Sequence, residues 1–264
     1  MPSDPIVEVH DLRGLGAVRY LDARDQAAFA AGCAPNAVRV ASDVWDTHAK
    51  SPETGFHNHE HWEQELNALG LGEGVVAAVY DAGGMTNAAR VWFMIQHFGG
   101  QAVIINGGWP ALAAASGLPA GAAASTARFR VRPGAGVVAA VDRLTLRDQL
   151  AAEAAHVYDT RTHPEYTGAD PRKNPRGGHL PGARHLSHAD LMENGFVHTP
   201  GVLRGMLDEV GFQPDHAIVT HCEGGGRAAL GAAAALRAGF GNVRVYYHSF
   251  ADWSRDDSCP VVCD

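Results

Sequence analysis

The sequence predicts an α/β fold with two similar domains, each containing a mostly parallel sheet flanked by helices. The chain has 264 residues, which is enough for two domains of about 130 residues with separate hydrophobic cores. Two segments repeat the same series of motifs at an offset of about 140 residues. Within each copy, short apolar runs alternate with helix-forming runs, a pattern typical of parallel strands joined by helices.

The two copies contain the same elements in the same order. Each starts with a strand that ends in an Asp-x-Arg motif, and a proline-containing turn then leads to a second short strand. A longer apolar strand, a glycine-rich bend and a helix follow, and a last strand and a tryptophan motif end the copy. The matching segments are residues 20–24 and 158–161, 32–40 and 178–186, 75–95 and 216–236, and 103–112 and 243–253.

The segment between the copies differs in composition from both. Residues 113–136 are rich in Ala, Gly and Pro and have no clear apolar period, which is typical of a linker. The sequence therefore predicts a first domain over residues 1–112, a linker over 113–136 and a second domain over 137–264.

Composition and charge exclude several classes of protein. Hydrophobic residues make up 46% of the chain and charged residues 19%, which is ordinary for a folded domain. The formal net charge is -8, and no long run of Lys and Arg is present, so nucleic acid is not an expected partner. The sequence has no apolar run of membrane-spanning length and no basic leader, so we expect no membrane association and a cytoplasmic protein.

Cys222 carries the sharpest chemical signal, because it directly follows the longer apolar strand of the second copy. Three glycines come next, and an alanine-rich helix is expected to begin at about Ala228. Glycines allow the backbone to curl so that successive amide N–H groups point inwards. These amides and the positive end of the helix would stabilise a thiolate and an anionic persulfide on the same sulfur.

The two copies resemble the tandem domains of the rhodanese and 3-mercaptopyruvate sulfurtransferase family over nearly the whole chain. The family's Gly-His-Ile-Pro-Gly-Ala signature is similar to residues 178–183, and the Tyr-Asp-Ala-Gly-Gly-Met signature of its first domain is intact at 80–85. In that family the second domain carries a six-residue active loop that starts with the catalytic cysteine. The corresponding residues here are Cys222, Glu223, Gly224, Gly225, Gly226 and Arg227.

The resemblance implies two rhodanese-like domains and a two-step sulfurtransferase reaction. The Cys222 thiolate would take the outer sulfur of a small anionic donor, thiosulfate or 3-mercaptopyruvate, and a thiol or cyanide acceptor would then remove it. No metal or organic cofactor is expected. Asp81 stands where Cys222 stands in the other copy, and a carboxylate cannot carry sulfane sulfur, so the first domain is expected to be inactive. Asp81 can accept hydrogen bonds from the same ring of amides.

An anionic donor favours arginines as its ligands. Arg176 lies where the resembling family often has a substrate-binding arginine, and Arg172 lies one turn earlier in the same loop; solvated surface charge is the alternative for both. Arg227 can pair with Asp159 or with the donor.

Glu223 departs from the family pattern, because thiosulfate-preferring members tend to have a cation beside the cysteine and mercaptopyruvate-preferring members tend to have a small residue there. An acidic group there should repel a dianion.

Two other functions remain open. The His-Cys-glycine-Arg pattern resembles the phosphate loop of cysteine-dependent phosphatases, but that loop has one more residue between Cys and Arg than the four found here. A non-enzymatic persulfide carrier would use Cys222 in the same way and load it only from a protein partner. Turnover with a free donor separates an enzyme from such a carrier.

The remaining histidines are expected to be non-catalytic. His221 precedes Cys222 on a strand and should point to the opposite face, so a Cys-His dyad is not expected. His57, His59 and His61 alternate in a polar segment and could bind a metal, but no fourth ligand stands at a recognisable spacing. Exposed loop histidines are the expected outcome.

The four cysteines are too few for a disulfide framework and are expected to be mostly thiols. Cys33 stands alone. Cys259 and Cys263 could form a disulfide, relay sulfur from Cys222 or only fill space, and no catalytic role is expected for them.

Overall fold

A computed structural model shows the fold and describes residues 4–263. The chain divides into two units, Met1–Val137 and Val138–Asp264. Each unit contains a five-stranded parallel sheet flanked by helices, so the predicted α/β class with two domains of this kind is confirmed. Among the described residues, no helix has both the length and the apolar composition needed to cross a bilayer.

From residue 4 onwards, the first unit has five strands, five α-helices and a 3-10 helix. In chain order they are β1 (Ile6–Val7), the 3-10 helix (Val9–Leu15), β2 (Ala17–Asp22), α1 (Gln26–Ala31), β3 (Val38–Arg39), α2 (Ser42–Lys50), α3 (His59–Ala68), β4 (Val75–Tyr80), α4 (Thr86–His97), β5 (Ala102–Ile105) and α5 (Gly108–Ala114). The sheet order is β1-β5-β4-β2-β3, with every pair parallel. Five of the six residues of β4 are buried, as expected for a central strand covered on both faces.

The second unit repeats this arrangement and adds a hairpin. Its elements are β6 (Ala139–Ala140), α6 (Arg143–Ala151), β7 (His156–Asp159), α7 (His163–Thr167), β8 (Arg184–His185), a 3-10 helix (His188–Leu191), β9 (Met192–Glu193), β10 (Phe196–Val197), α8 (Pro200–Glu209), β11 (Ile218–His221), α9 (Gly226–Arg237), β12 (Val243–Val245) and α10 (Ser249–Trp253). The parallel sheet has the order β6-β12-β11-β7-β8, and β9 and β10 form an antiparallel pair. The strand orders of the two units match position by position.

The predicted linker, residues 113–136, starts within the last turn of α5 and then lies along the first unit. The Ala122 N–H donates to the Val18 carbonyl at 2.7 Å, and the Ser125 N–H donates to the Gly70 carbonyl at 2.9 Å. A Cβ on Gly70 would lie 2.7 Å from the Ala124 Cβ, so a glycine is needed for this close approach. The structure therefore assigns the segment to the first unit.

Candidate active site

Cys222 lies directly after β11, at the carboxyl end of the second unit's sheet, and is 1% exposed. Its Sγ accepts hydrogen bonds from the Gly224 N–H at 3.3 Å and from the Gly225 N–H at 3.0 Å. The prediction that amides of the glycine-rich segment point at the sulfur is confirmed. Such donors stabilise negative charge on sulfur without supplying a competing nucleophile or a counter-ion that would trap it.

Gly225 fixes the shape of this loop. Its φ of +100° lies in the region that favours glycine, and a Cβ there would lie 2.6 Å from the ring of Tyr247. Helix α9 therefore begins at Gly226, two residues before the position expected from the alanine-rich run, because Gly225 turns the chain into the helix. The first two residues of the helix, Gly226 and Arg227, belong to the predicted active loop.

Ser249, at the start of α10, also contacts the cysteine. Its Oγ accepts a hydrogen bond from the Cys222 N–H at 3.1 Å, donates to the Tyr246 carbonyl at 3.0 Å and lies 3.8 Å from the Cys222 Sγ. Its φ of +61° is unusual for a residue with a side chain. Sequence reasoning missed this residue, although the repeat contained a signal: the corresponding first helical residue of α5 is Gly108, with a φ of +56°.

Arg227 pairs with Glu165 of α7, a partner that was not among the two alternatives considered from the sequence, Asp159 and the donor. Its two terminal nitrogens donate to the two Glu165 carboxylate oxygens at 2.7 and 2.8 Å. Burial alone would raise the pKa of Glu165, but hydrogen bonds from Arg227 and Thr162 offset it and hold this pKa well below its usual range. Burial opposes the charge of Arg227, but the hydrogen bonds to Glu165 and the negative charge of Glu165 raise the pKa of Arg227. Both groups are therefore charged beside the sulfur.

Asp159 has a different partner because it ends β7, beside His221 in the sheet. Arg161 donates to both Asp159 carboxylate oxygens, with distances of 3.0 and 2.6 Å, and to the Gly178 carbonyl at 2.7 Å. Asp22 and Arg24 form the same pair in the first unit. The Asp-x-Arg motif therefore ties a strand end to the following turn in each copy.

The His221 imidazole is fully buried, with its Nε2 3.3 Å from the Asp159 Oδ2. Burial lowers the pKa of His221 to about 4, although the Asp159 charge opposes this effect, so the ring is neutral at neutral pH. The Nδ1 lies 3.3 Å from the Cys222 carbonyl oxygen. His221 thus supports the strand end and the Asp159–Arg161 pair.

A cavity of about 380 Å³ lies beside the loop and is lined by Glu165, Arg172, Lys173, Glu223 and Arg227. Arg172 has its Nε 3.3 Å from Glu165 Oε1, and its side chain is 51% exposed. The structure thus brings Arg172, Glu223 and Arg227 to one cavity, and it adds Lys173 and Glu165, which sequence reasoning did not select.

Glu223 is held in place by Asn174, whose Nδ2 lies 3.0 Å from each carboxylate oxygen. Because Nδ2 has two hydrogens, it can donate to both oxygens. The acidic group next to Cys222 is therefore a fixed part of the cavity wall. Sequence reasoning did not find Asn174, which lies 49 positions before Glu223.

The expectation that Arg176 binds the donor is not supported by its position. Its guanidinium donates four hydrogen bonds to backbone carbonyls near the C-terminus, at 2.6 to 3.1 Å. The acceptors are the carbonyls of Trp253, Ser254, Asp256 and Cys259. Since four of the five N–H groups of an arginine are used in this way, Arg176 anchors the C-terminal segment instead of an anion.

Asp81 occupies the position equivalent to Cys222, directly after β4 of the first unit. Its Oδ1 accepts from the N–H groups of Gly83 and Met85, and its Oδ2 accepts from those of Asn87 and Ala88, at 2.9 to 3.1 Å. The prediction that Asp81 accepts hydrogen bonds from the amide ring is confirmed. A carboxylate thus occupies the donors that the sulfur uses in the second unit.

The other three cysteines, Cys33, Cys259 and Cys263, are free thiols. Cys259 is buried and its burial raises its pKa, whereas Cys263 is exposed and its Sγ lies 3.4 Å from the Gly177 carbonyl oxygen. Cys259 and Cys263 therefore form no disulfide with each other in this structure.

Comparison with known proteins gives a matching family and a matching fold. A probable 3-mercaptopyruvate sulfurtransferase from Pseudomonas aeruginosa is 29% identical over 205 residues, which cover 75% of this chain and 71% of that protein. The 3-mercaptopyruvate sulfurtransferase of Escherichia coli K12 is 26% identical over 269 residues, covering 98% and 92%. The sulfurtransferase class is the activity that these relatives support.

The fold also matches an anaerobic ergothioneine biosynthesis enzyme from Chlorobium limicola, solved with trimethyl histidine. The TM-score is 0.79 at 18% identity, over 98% of this chain and 70% of that one; at this identity the likeness concerns the fold. The family model described as a rhodanese-like domain matches residues 6–115 and 143–256. With one such domain in each half, the chain belongs to the rhodanese-like domain family.

Proposed function

We propose that the protein moves sulfane sulfur from a small anionic donor to a thiol or cyanide acceptor through a persulfide on Cys222. The observation that carries this proposal is the pair of hydrogen bonds from Gly224 and Gly225 to the Cys222 Sγ. A ring of main-chain donors suits a sulfur that alternates between thiolate and persulfide anion, because both states need stabilisation and neither needs a proton-transfer partner.

In the first step, the Cys222 thiolate attacks the outer sulfur of the donor. With 3-mercaptopyruvate, an S–S bond forms, the C–S bond breaks, and its electron pair leaves with pyruvate as the enolate. The proton of the donor thiol moves to the enolate carbon, which gives pyruvate and a persulfide anion. With thiosulfate, the S–S bond of the donor breaks and sulfite leaves with the electron pair.

In the second step, an acceptor thiolate or cyanide attacks the outer sulfur of the persulfide. The new bond to the acceptor forms as the S–S bond at Cys222 breaks, and the electron pair of that bond restores the Cys222 thiolate. The charged Arg227 lies near the sulfur and stabilises the anion in each state, while Glu165 holds its guanidinium in place.

The charges of the cavity favour 3-mercaptopyruvate over thiosulfate as the donor. Thiosulfate carries two negative charges, and Glu223 fixes a third beside the nucleophile. Mercaptopyruvate carries one carboxylate, for which the cavity offers three cationic side chains, Arg172, Lys173 and Arg227; Arg172 and Arg227 also contact Glu165. The names of the Pseudomonas aeruginosa and Escherichia coli relatives support the same choice.

Mass spectrometry of the intact protein tests the persulfide. Exposure to 3-mercaptopyruvate should add one sulfur atom, about 32 Da, on the peptide that contains Cys222, and cyanide should remove it. Cys222→Ser should lose both the adduct and turnover, with Cys33→Ser as the matched control that keeps them. Turnover in the Cys222→Ser protein would overturn the proposal, and a single loading with no turnover would favour a persulfide carrier.

The donor preference has a separate test in Glu223→Gln, which removes the charge and keeps the shape. One unit charge at about 4 Å in water is worth about 1 kcal/mol, so kcat/KM for thiosulfate should rise by about fivefold relative to that for mercaptopyruvate. Glu193→Gln, on the exposed hairpin, serves as the control. An unchanged ratio would contradict the role given to Glu223.

A phosphatase remains the competing enzyme class, and the length of the loop argues against it. Four residues separate Cys222 from Arg227, one fewer than in a phosphate loop, so the loop is small for a phosphoryl group. The protein should therefore leave an aryl phosphate intact under conditions in which it transfers sulfur.

A further inference from the structure

Three metal-ligating side chains meet in the first unit, away from the residues that surround Cys222 along the chain. His48 belongs to α2, and His61 and Glu65 belong to α3. One ligand atom from each of the three residues lies within 4.8 Å of the other two. We propose that His48, His61 and Glu65 bind a divalent transition-metal ion of the zinc type.

The spacing of the two histidines fits such an ion. His48 Nδ1 and His61 Nε2 are 3.1 Å apart, and two nitrogens that bind one tetrahedral Zn²⁺ are about 3.4 Å apart, since each Zn–N bond is about 2.1 Å. Without a metal, one nitrogen donates its hydrogen to the other. Moving the hydrogen of the donor ring to its other nitrogen then leaves a lone pair on both facing nitrogens for the ion, with no change in charge.

Helix geometry accounts for the other pair of ligands. His61 and Glu65 are four residues apart on α3 and therefore lie on the same face. The helix start is fixed by Asn58, whose side chain accepts a hydrogen bond from the His61 N–H at 3.0 Å. The buried Trp45 donates its Nε1–H to the Glu65 Oε2 at 2.8 Å. This bond orients the carboxylate and leaves Oε1 for a metal, as outer hydrogen bonds do in metal sites.

The set of ligands also suits such an ion. Two neutral imidazoles and one carboxylate would leave a fourth position for water or another small ligand.

The sequence grouped His61 with His57 and His59, whereas the structure places it beside His48 and Glu65. His57 and His59 are exposed, as expected, but His59 and His61 belong to α3 instead of a loop, and His61 is half-buried. The three alternating histidines lacked a fourth ligand at a recognisable spacing in the sequence. The fold supplies further ligands from His48, on the preceding helix, and from Glu65, one turn further along α3.

Cobalt titration of untagged, metal-free protein tests this site, because Co²⁺ in tetrahedral coordination absorbs visible light more strongly than the octahedral ion in water. The protein should bind one equivalent of Co²⁺, and Zn²⁺ should displace it. Because Trp45 touches Glu65, binding of Co²⁺ should also quench tryptophan fluorescence. His61→Ala and Glu65→Gln should each weaken binding by at least tenfold, and Glu65→Gln retains an acceptor for the Trp45 N–H.

His57→Ala is the matched control and should bind Co²⁺ like the wild-type protein. Circular dichroism should show that every variant is folded, and sulfur transfer by the variants reports on the second unit independently. Absence of saturable Co²⁺ binding in the wild-type protein would overturn the proposal. Equal affinity in the wild-type, His61→Ala and Glu65→Gln proteins would also overturn it.

Discussion

Ser249 connects α10 to Cys222 through a single hydroxyl group. The Oγ accepts the hydrogen bond of the Cys222 N–H and lies 3.8 Å from the sulfur, and the residue keeps a left-handed φ of +61°. A non-glycine residue in this conformation stores about 1 kcal/mol or more of strain. Such strain is retained where the side chain has a contact to make, and here that contact positions the cysteine.

Ser249→Ala should therefore lower kcat for sulfur transfer by about tenfold, because an unpaired buried N–H costs about 1–3 kcal/mol and the loop can relax away from its position. Ser249→Gly is the matched variant, since it also lacks the hydroxyl but adopts a positive φ without strain. Steady-state kinetics and thermal unfolding measure both effects. If the Gly variant transferred sulfur at the wild-type rate, the hydroxyl would have no positioning role.

Glu165 links stability of the second unit to pH. The pKa of its carboxyl is depressed in the folded protein, so its ionisation favours folding above the unfolded pKa of about 4.3. This stability is lost as the pH falls towards the pKa of the folded state.

Glu165→Gln should lower the free energy of unfolding by about 2 kcal/mol at pH 7. Urea unfolding should show the same difference at about pH 5 and a smaller one below about pH 4. The exposed Glu193→Gln control should show neither effect, and a constant difference for Glu165→Gln down to acid pH would contradict the assignment.

At the scale of elements, the turn between β11 and α9 is the least replaceable part of the second unit. Gly225 both adopts a positive φ and packs against Tyr247 with no room for a Cβ. The same turn directs the Gly224 and Gly225 N–H groups at the Cys222 Sγ, so both the shape of the turn and the hydrogen bonds to the sulfur depend on Gly225.

Gly225→Ala should destabilise the protein by about 1–3 kcal/mol and abolish formation of the Cys222 persulfide. Gly205→Ala is the matched control, because Gly205 lies within α8 and a Cβ there would meet open space among the described residues. That change should stabilise the helix by up to about 1 kcal/mol. Intact-mass measurement of the adduct and urea unfolding report the two effects; persulfide formation at the normal level in Gly225→Ala would contradict the role of the turn.

The parts of the site that sequence reasoning found are those encoded locally. The strand, the glycines and the nucleophile are consecutive in the chain, and the repeat shows their register in both copies. The partners that it missed are distant: Glu165 lies 62 positions before Arg227, and the carbonyls bound by Arg176 lie 77 to 83 positions after it. Packing of the sheet decides these pairs, so no local pattern indicates which arginine is free to bind an anion.

At the scale of the whole molecule, the two units have the same strand order but a different side chain inside the ring of main-chain N–H groups. It is Asp81 in the first unit and Cys222 in the second. In each unit, a residue with a positive φ comes directly before the helix that follows the loop. In the first unit this residue is Met85, four positions after Asp81. In the second unit it is Gly225, three positions after Cys222. The longer turn of the first unit directs four N–H groups at the two carboxylate oxygens of Asp81. The shorter turn of the second unit directs two N–H groups at the Cys222 Sγ.

Cys222→Asp should therefore convert the second unit into a silent copy that remains folded. A carboxylate can accept the amides that the sulfur now accepts, so the unfolding temperature should stay within a few degrees of the wild-type value while sulfur transfer is lost. Differential scanning calorimetry and a turnover assay check the two expectations. Loss of the folded second unit would show that its shorter turn cannot hold a carboxylate.

The extra residue in the turn after β4 limits what a substitution of Asp81 alone can achieve. A cysteine at this position would place one sulfur atom in a turn whose four N–H groups are spaced for two carboxylate oxygens. Transplanting the chemistry of the second unit into the first would therefore require shortening this turn by one residue as well as replacing the side chain.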